Sequence, residues 1–474
     1  MSLSLRSYQQ DAVSAVLADM KSAKPSNGLV VSPTSGGKSF IIAGIVEQYK
    51  DPVIVLQPSK ELLQQNSEKF QLTGLESSIY SASFGKRDIG HVTFATLGSI
   101  LKEASYLATI KNLLILCDEA HYKYDPKAGS QIATFLKTVK PRFLYGLTAT
   151  PFRLYAGNSM NSSSVLKMIN RTRPKIFNKI LYVQQISEII ELGFWTPSVD
   201  ERWSYDDTLL QLNTTGSDYT DQSIRKANEA NSTNRSIAIR IHELLKEDKR
   251  KSILIFTDSV HTAKIFAEYF SRFTTAECVT NETSDKDRDR IVKSFKGMEL
   301  RLLFNYGVYK LGFDHPGLDC IGMGRPTNSL ADLYQIYGRG VRRLEGKDDF
   351  LFIDCCDNFG HLCHPRELTI EEDKIAGWAV FAGDKLITNT PLGGPAVYRK
   401  DLVENQTTEL QNLSGETMPF GRWKGRKIMD MCKHDRGYAE YMLSLIDPAR
   451  YGPRLKNTIE AALKQSAIQL IIAE

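Results

Sequence analysis

The 474-residue sequence predicts an α/β fold made of two parallel sheets in tandem, followed by a small accessory module near its C-terminal end. Three observations carry this prediction. Short apolar runs alternate with segments of helical periodicity, and the alternation occurs twice along the chain. A small-residue turn, Ser32-Pro33-Thr34-Ser35-Gly36-Gly37, joins the first apolar run to the first following helix, as in sheets that hold phosphate at a helix N-terminus. The run Leu113-Leu114-Ile115-Leu116-Cys117 ends in Asp118-Glu119, and open α/β sheets bind ligands at the carboxyl ends of buried strands.

Taken in order, the chain opens with Leu5-Arg6-Ser7-Tyr8-Gln9, the start of a helix. A planar amide pairs two ways with an adenine edge and a guanidinium stacks on its face, so Gln9 and Arg6 are candidates for base recognition. After the strand at Leu29, the backbone N–H groups of Thr34, Ser35, Gly36 and Gly37 can cradle a triphosphate. Lys38 can reach the β and γ oxygens, and the Ser39 hydroxyl can hold Mg²⁺. The turn departs from the strict pattern at Ser32, where Gly is usual, and at Ser35, where many such loops have Gly. Asp118 would complete the Mg²⁺ shell, and Glu119 would orient and deprotonate an attacking water. A phosphate cradle and a carboxylate pair in this order point to an ATP-hydrolysing site rather than to an ordinary turn and a solvated strand cap.

Strands are expected at 53–58, 92–97, 113–117 and 143–148, with helices at 39–49, 59–70, 98–110 and 128–140 between them. A polar stretch at 155–164 and a basic one at 167–175 read either as a flexible insertion or as a loop touching DNA phosphates. The first domain is expected to cover 1–197. The polar passage 206–234 would supply leading helices for a second domain, 198–365, with strands at 252–257, 276–279, 302–305, 319–323 and 350–354. In a helix, Gln335, Arg339 and Arg342 share one face, and the two guanidinium groups can neutralise charge on a γ-phosphate across a cleft.

Composition bounds the rest. Hydrophobic residues at 42% and charged residues at 24% are ordinary for a globular chain, which excludes bulk disorder. A net charge of +5 permits a polyanionic partner without requiring one. No apolar run reaches membrane-spanning length and the N-terminus lacks the apolar core of a signal peptide, so a cytoplasmic protein is expected. Seven cysteines without a Cys-x-x-Cys imply reduced thiols, and Cys355 and Cys356 at a strand end read as core packing rather than zinc ligands.

From residue 5 to about 345 the sequence resembles the superfamily 2 helicases. The resemblance rests on motifs in family order: Tyr8-Gln9, Gly37-Lys38-Ser39, Gln57-Pro58-Ser59, Thr96, Asp118-Glu119-Ala120-His121, Thr148-Ala149-Thr150-Pro151, Phe256-Thr257-Asp258-Ser259, Gly312-Phe313-Asp314 and Gln335 to Arg342. It implies two RecA-like domains closing on ATP and Mg²⁺, with Gly312 and Asp314 at the nucleotide and Thr148 and Thr150 coupling its state to domain closure. It also implies that Gln57, Ser59, Lys60, Thr96 and Thr257 contact the backbone of a tracked strand. Where relatives carry hydroxyl residues before Gly312, this chain reads Val308-Tyr309-Lys310-Leu311, which assigns Lys310 a charged contact instead.

The Thr-Ala-Thr motif resembles the RadD-like, UvsW-like and restriction-translocase branch acting on DNA, although the cysteine-rich tail of RadD-like proteins is absent. The implied activity is a monomeric ATP-dependent DNA helicase that unwinds or branch-migrates forked or junction DNA. The alternatives are a duplex translocase that separates no strands, an RNA helicase, or a scaffold with a dead ATPase. The last would need a broken catalytic residue, and Lys38, Glu119 and Arg342 are all present. Residues 366–414 are expected to be a linker or accessory segment. The module at 415–474 resembles that of exodeoxyribonuclease X-like proteins, with Arg422 and Lys424 on phosphates and Trp423 on an unpaired base; a packed cap is the competing reading.

Overall fold

The computed structural model describes residues 4–122, 124, 129–155, 165–172, 174–214, 216–308, 314–373 and 377–388, and scattered positions between 418 and 463. Residues 1–396 form one compact unit and 397–474 another.

The first sheet has eight strands in the order β10-β1-β7-β6-β2-β5-β3-β4, where β1 is Gly28–Val31, β2 Val53–Gln57, β3 Ser78–Ser81, β4 Lys86–Arg87, β5 Val92–Thr96, β6 Leu114–Cys117, β7 Phe143–Thr148 and β10 Lys179–Val183. All pairings but β3 with β4 are parallel. The central strands are buried along their whole length, as their unbroken apolar runs require of strands covered on both faces. Each fully buried Leu or Ile contributes about 1.5–3 kcal/mol, which is enough to fix the register of such short strands. A two-stranded hairpin, β8 (Phe152–Tyr155) with β9 (Val165–Met168), follows β7 and contains part of the basic stretch seen in the sequence. Residues 156–164 of the polar stretch and residue 173 of the basic one lie outside the described residues.

The second sheet has six parallel strands in the order β11-β16-β15-β12-β14-β13: β11 is Ser198–Arg202, β12 Ile253–Phe256, β13 Ala276–Val279, β14 Leu302–Asn305, β15 Cys320–Met323 and β16 Phe350–Asp354. Helices Asp221–Ala230 and Thr233–Glu247 precede β12, as the polar passage at 206–234 foretells. Cys355 and Cys356 pack in the core beneath this sheet, and burial pushes both thiols well above their usual range. Within the segment expected to link to the C-terminal module, β17 (Leu368–Asp373), β18 (Gly377–Ala382) and β19 (Lys385–Leu386) form an antiparallel sheet. This sheet is pinned to the first domain by Gln185, whose amide donates to Ile370 O (2.7 Å) and accepts from Ile370 N (3.1 Å).

The described part of the C-terminal unit packs Met418, Ile428, Met431, Cys432, Ala439 and Met442 around helix Ile428–His434. Among the described residues no helix is long and apolar enough to cross a membrane.

Candidate active site

The phosphate loop leaves the carboxyl end of β1 and enters helix Lys38–Gln48 through Gly37, whose φ of +80° is left-handed. That φ favours glycine here, and a Cβ would also stand 2.3 Å from Gln9 Nε2 and push that amide aside. Gln9 itself is 4% exposed and braces the loop. Its amide donates to Gly36 O (3.2 Å) and accepts from Arg6 N (3.0 Å). Arg6 lies 3.5 Å over the ring of Phe194. Ser35 adopts φ +65°, so the position where related loops carry glycine does sit in the region that favours glycine, and the serine there is strained.

Beside the loop, one amide organises the metal-binding candidates. Asn66, on helix Lys60–Gln71, accepts from Ser39 Oγ (2.8 Å) and donates to Asp118 Oδ2 (2.8 Å) and Gln57 Oε1 (3.1 Å). Asp118 is buried, and that burial, with Glu119 next to it, raises its carboxyl to about 6. Glu119 takes a left-handed φ of +46°, lies 3.3 Å from Lys38 Nζ and faces His121 Nδ1 at 3.4 Å. His121 Nδ1 is also 2.8 Å from Thr148 Oγ1, which accepts from Thr150 N (3.1 Å). Burial holds the His121 ring down near a pKa of about 4, so it is neutral at pH 7. The turn is clamped from behind by Arg153, which donates to the carbonyls of Ala120 and His121.

The residues fit a magnesium nucleotide. Ser39 and Asp118 present oxygens joined through one amide, and a raised carboxyl suits a divalent cation. Among the described residues the hydroxyls of Ser32 and Ser35 and Gln335 Nε2 are buried without a hydrogen-bond partner, an arrangement a polar ligand would relieve.

The second domain reaches this site through helix Leu330–Gly340. Gly338 rests so closely on the loop that a Cβ would meet Thr34 Oγ1 at 2.1 Å. One turn of the same helix carries Arg339, 4% exposed. Arg342, just past its end, pairs with Asp314, which also takes Lys69 from the first domain. Thus Lys38, Ser39, Asp118, Glu119, Gln9, Arg6 and the arginine helix come together. Gly312 and Lys310 lie outside the described residues.

The expected strand contacts divide. Ser59, Lys60 and Thr96 border a cleft of about 570 Å³ on the first domain, together with Pro58 and Gly98. The Ser59 hydroxyl caps helix Lys60–Gln71, and Lys60 Nζ also reaches Asp285 of the second domain (2.8 Å). Gln57 borders the same cleft, but its side chain is turned into the carboxylate network, a correction to its expected role. Thr257 needs the same correction. It is 2% exposed, and its hydroxyl is spent on the carbonyls of Ser259 and Asn305. Trp423 packs against the C-terminal core, donates its N–H to Asp435 Oδ2 (3.0 Å) and has Arg426 over its ring (5.5 Å), which is the geometry of a cap rather than of an open stacking platform. Arg422 and Lys424 lie outside the described residues.

Sequence reasoning missed Asn66 and Arg153. The available signal for Asn66 was a polar residue on the otherwise buried stripe of Leu62, Leu63 and Phe70; for Arg153 there was none.

Comparison with known proteins gives the same picture. Residues 2–153 match the family model of the type III restriction enzyme res subunit, and residues 237–343 match the helicase conserved C-terminal domain. The chain is 24% identical over 388 residues to the "Putative ATP-dependent helicase IRC3" of Saccharomyces cerevisiae, covering 78% of this chain and 54% of that one, so it spans little more than half of that relative's length. It is 25% identical to the "DNA 3'-5' translocase XPB2" of Sulfurisphaera tokodaii, covering 66% of this chain and 73% of the relative. Its fold is similar to that of the "ATP-dependent Type ISP restriction-modification enzyme LlaBIII bound to DNA", with a TM-score of 0.54 at 15% identity, covering 99% of this chain and 33% of the other. With the two helicase domain matches in this order and a candidate nucleotide site lined from both domains, the chain belongs to the superfamily 2 helicases.

Proposed function

We propose that this chain hydrolyses ATP in a DNA-stimulated cycle, tracks along DNA, and unwinds or branch-migrates forked or junction DNA in replication, recombination or repair. The carrying observation is the seating of the arginine helix of the second domain directly on the phosphate loop of the first, Gly338 on Thr34. In this reading residues 1–197 and 198–365 are the two motor domains, 366–414 an accessory or linking segment and 415–474 an accessory module. The finer kinship, with the RadD-like and UvsW-like branch, belongs to the same proposal, and so does a monomeric protein acting in the cytoplasm.

Each residue then has a chemical task. Lys38 must leave Glu119 for the phosphate oxygens, which frees the Glu119 carboxylate to take the proton of the attacking water. The oxygen–phosphorus bond to the γ-phosphorus forms as the bond to the β–γ bridging oxygen breaks, and Arg339 and Arg342 meet the charge that builds there. Ser39 and Asp118 would hold Mg²⁺, which neutralises phosphate charge when bound. Ser59, Lys60 and Thr96 would contact the DNA backbone, which positions the strand without reading its sequence.

The test is strand separation by the purified protein on fork, three-way, four-way and blunt duplex substrates, with Glu119→Gln as the control. ATP-dependent unwinding of branched substrates is expected. Displacement of a third strand from a triplex without duplex separation would favour the duplex-translocase reading, which the name of the archaeal relative supports. Stimulation by RNA and not by DNA would overturn both.

A further inference from the structure

The segment that leaves the first domain, Gly193-Phe194-Trp195-Thr196, touches three parts of the site in consecutive residues. Phe194 lies under Arg6 and 5.8 Å from the Tyr8 ring, beside the helix that braces the loop. Trp195 is 4% exposed, and its indole N–H donates to Thr34 O in the phosphate loop at 3.0 Å. The Trp195 backbone pairs with Arg342, and its ring lies 6.2 Å from that of Tyr337 on the arginine helix. Thr196 then donates its N–H to Val341 O (2.7 Å) and its hydroxyl to Arg342 O (3.0 Å).

We infer that Trp195 is a positioning residue that couples the phosphate loop to the arginine helix. This rests on the ATPase reading above and adds a residue that the motifs do not contain. The coupling runs through one peptide plane. In a trans peptide the C=O and the following N–H point in opposite directions, so an indole that fixes Thr34 O on one side turns Ser35 N–H to the other. A phosphate loop works only while its N–H groups converge on the ligand. Ser35 carries left-handed strain at φ +65°, so its orientation needs an outside restraint, and the buried indole supplies one. Because the same residue is paired through its backbone with Arg342, a change in the loop is passed to the guanidinium without a long chain of intermediates.

The experiment uses the full chain. Trp195→Phe keeps an aromatic ring and removes the donor. The DNA-stimulated kcat for ATP should fall about five- to tenfold, the size of one buried neutral hydrogen bond, while KM moves less than about twofold and the melting temperature falls by no more than a few degrees. A second protein retains Trp195 as its only indole, with Phe at Trp203, Trp378 and Trp423. Its emission should change on adding Mg²⁺ with a non-hydrolysable ATP analogue. A Trp195→Phe protein with wild-type kcat, or one whose only change is a lower melting temperature, overturns the inference. So does silent emission in the single-tryptophan protein while that protein still binds the analogue; the emission arm decides the matter even if Trp195→Phe fails to fold. Wild-type protein that binds no analogue would instead sink the ATPase reading itself.

Discussion

Laid side by side, the two parallel sheets share one strand order, β1-β7-β6-β2-β5-β3 in the first and β11-β16-β15-β12-β14-β13 in the second. They differ in the strand at the first position and in the segment that leaves it. β1 is Gly-Leu-Val-Val, buried throughout because β10 covers its outer edge, and it delivers the phosphate loop. β11 is Ser-Val-Asp-Glu-Arg, an edge strand with little burial, and it leads into a polar excursion instead. Likewise β6 runs into Asp118-Glu119, whereas β15 runs into Gly324-Arg325-Pro326. The frame is common and the chemistry is carried by the residues attached to strand ends, so in the reading proposed above the helix that the second domain lays on its neighbour carries its part in catalysis.

If that division is right, removing the first domain's local chemistry and the second domain's transferred charge should have comparable effects. Lys38→Ala, Glu119→Gln and Arg342→Ala should each lower DNA-stimulated ATP turnover by about 10²-fold or more. Glu119→Gln should still bind a fluorescent ATP analogue, because it loses a base and not a phosphate contact. Wild-type turnover in Arg342→Ala would remove Arg342 from the proposed site and leave Arg339 as the second domain's remaining candidate.

The next largest effect is expected at the contact itself. Gly338→Ala places a methyl group where Thr34 stands, so the helix must lift from the loop. Turnover should fall at least about tenfold, since misplacement by about an ångström costs heavily in an oriented site. Thr34→Ala in the same chain should restore part of it by removing Oγ1 and Cγ2. A Gly338→Ala protein with unchanged kcat would show that this seating is not the productive one.

These contacts also mark what the sequence could and could not say. Runs such as Leu113 to Cys117 and Phe350 to Asp354 were legible as buried strands because burial on both faces leaves an apolar signature. β11, Ser-Val-Asp-Glu-Arg, was not, since an edge strand keeps polar residues and loses that signature. Site residues were legible where a local motif fixes geometry, as at Gly37-Lys38-Ser39. Gln57 and Thr257 were expected at a tracked strand on the helicase resemblance alone; a strand-end residue can face either way, and here the Asn66 amide and the Asn305 carbonyl engage them. Trp195 and Thr34, or Gly338 and Thr34, meet across most of the folded unit, and no local pattern announces such a meeting.

Acid should weaken both domains, each through a buried histidine. His315 of the second domain is buried, 2.9 Å from Ser252 Oγ and against the Phe295 ring; burial first, then Lys296 and Lys347, lowers its pKa from 6.5 to about 4. The unfolded chain therefore binds a proton at this residue between those values and the folded one does not. Its contribution to stability is present above pH 6.5 and is lost as pH falls towards 4, by about 3 kcal/mol at most. His121, held to about 4 in the first domain, acts in the same direction. Melting temperatures between about pH 7.5 and 5 should drop, and His315→Gln should flatten part of that drop. A variant curve parallel to wild type would show that His315 is not the source of the acid sensitivity.

The smallest effect should sharpen the comparison most finely, because Lys60 belongs to both regions. Its ammonium borders the first domain's cleft and also pairs with Asp285 at the start of a second-domain helix, and both side chains are well exposed. An exposed pair of this kind contributes less than about 1 kcal/mol, so Lys60→Ala should leave the melting curve nearly unchanged. If Lys60 serves DNA, the same variant should bind a forked duplex a few-fold more weakly and flatten the slope of log affinity against log salt by about one. Asp285→Ala separates the two roles. Freed from its partner, Lys60 would remain available to phosphate and affinity should hold or rise, whereas a Lys60 that matters only as a bridge between domains would give both variants the same weakened binding.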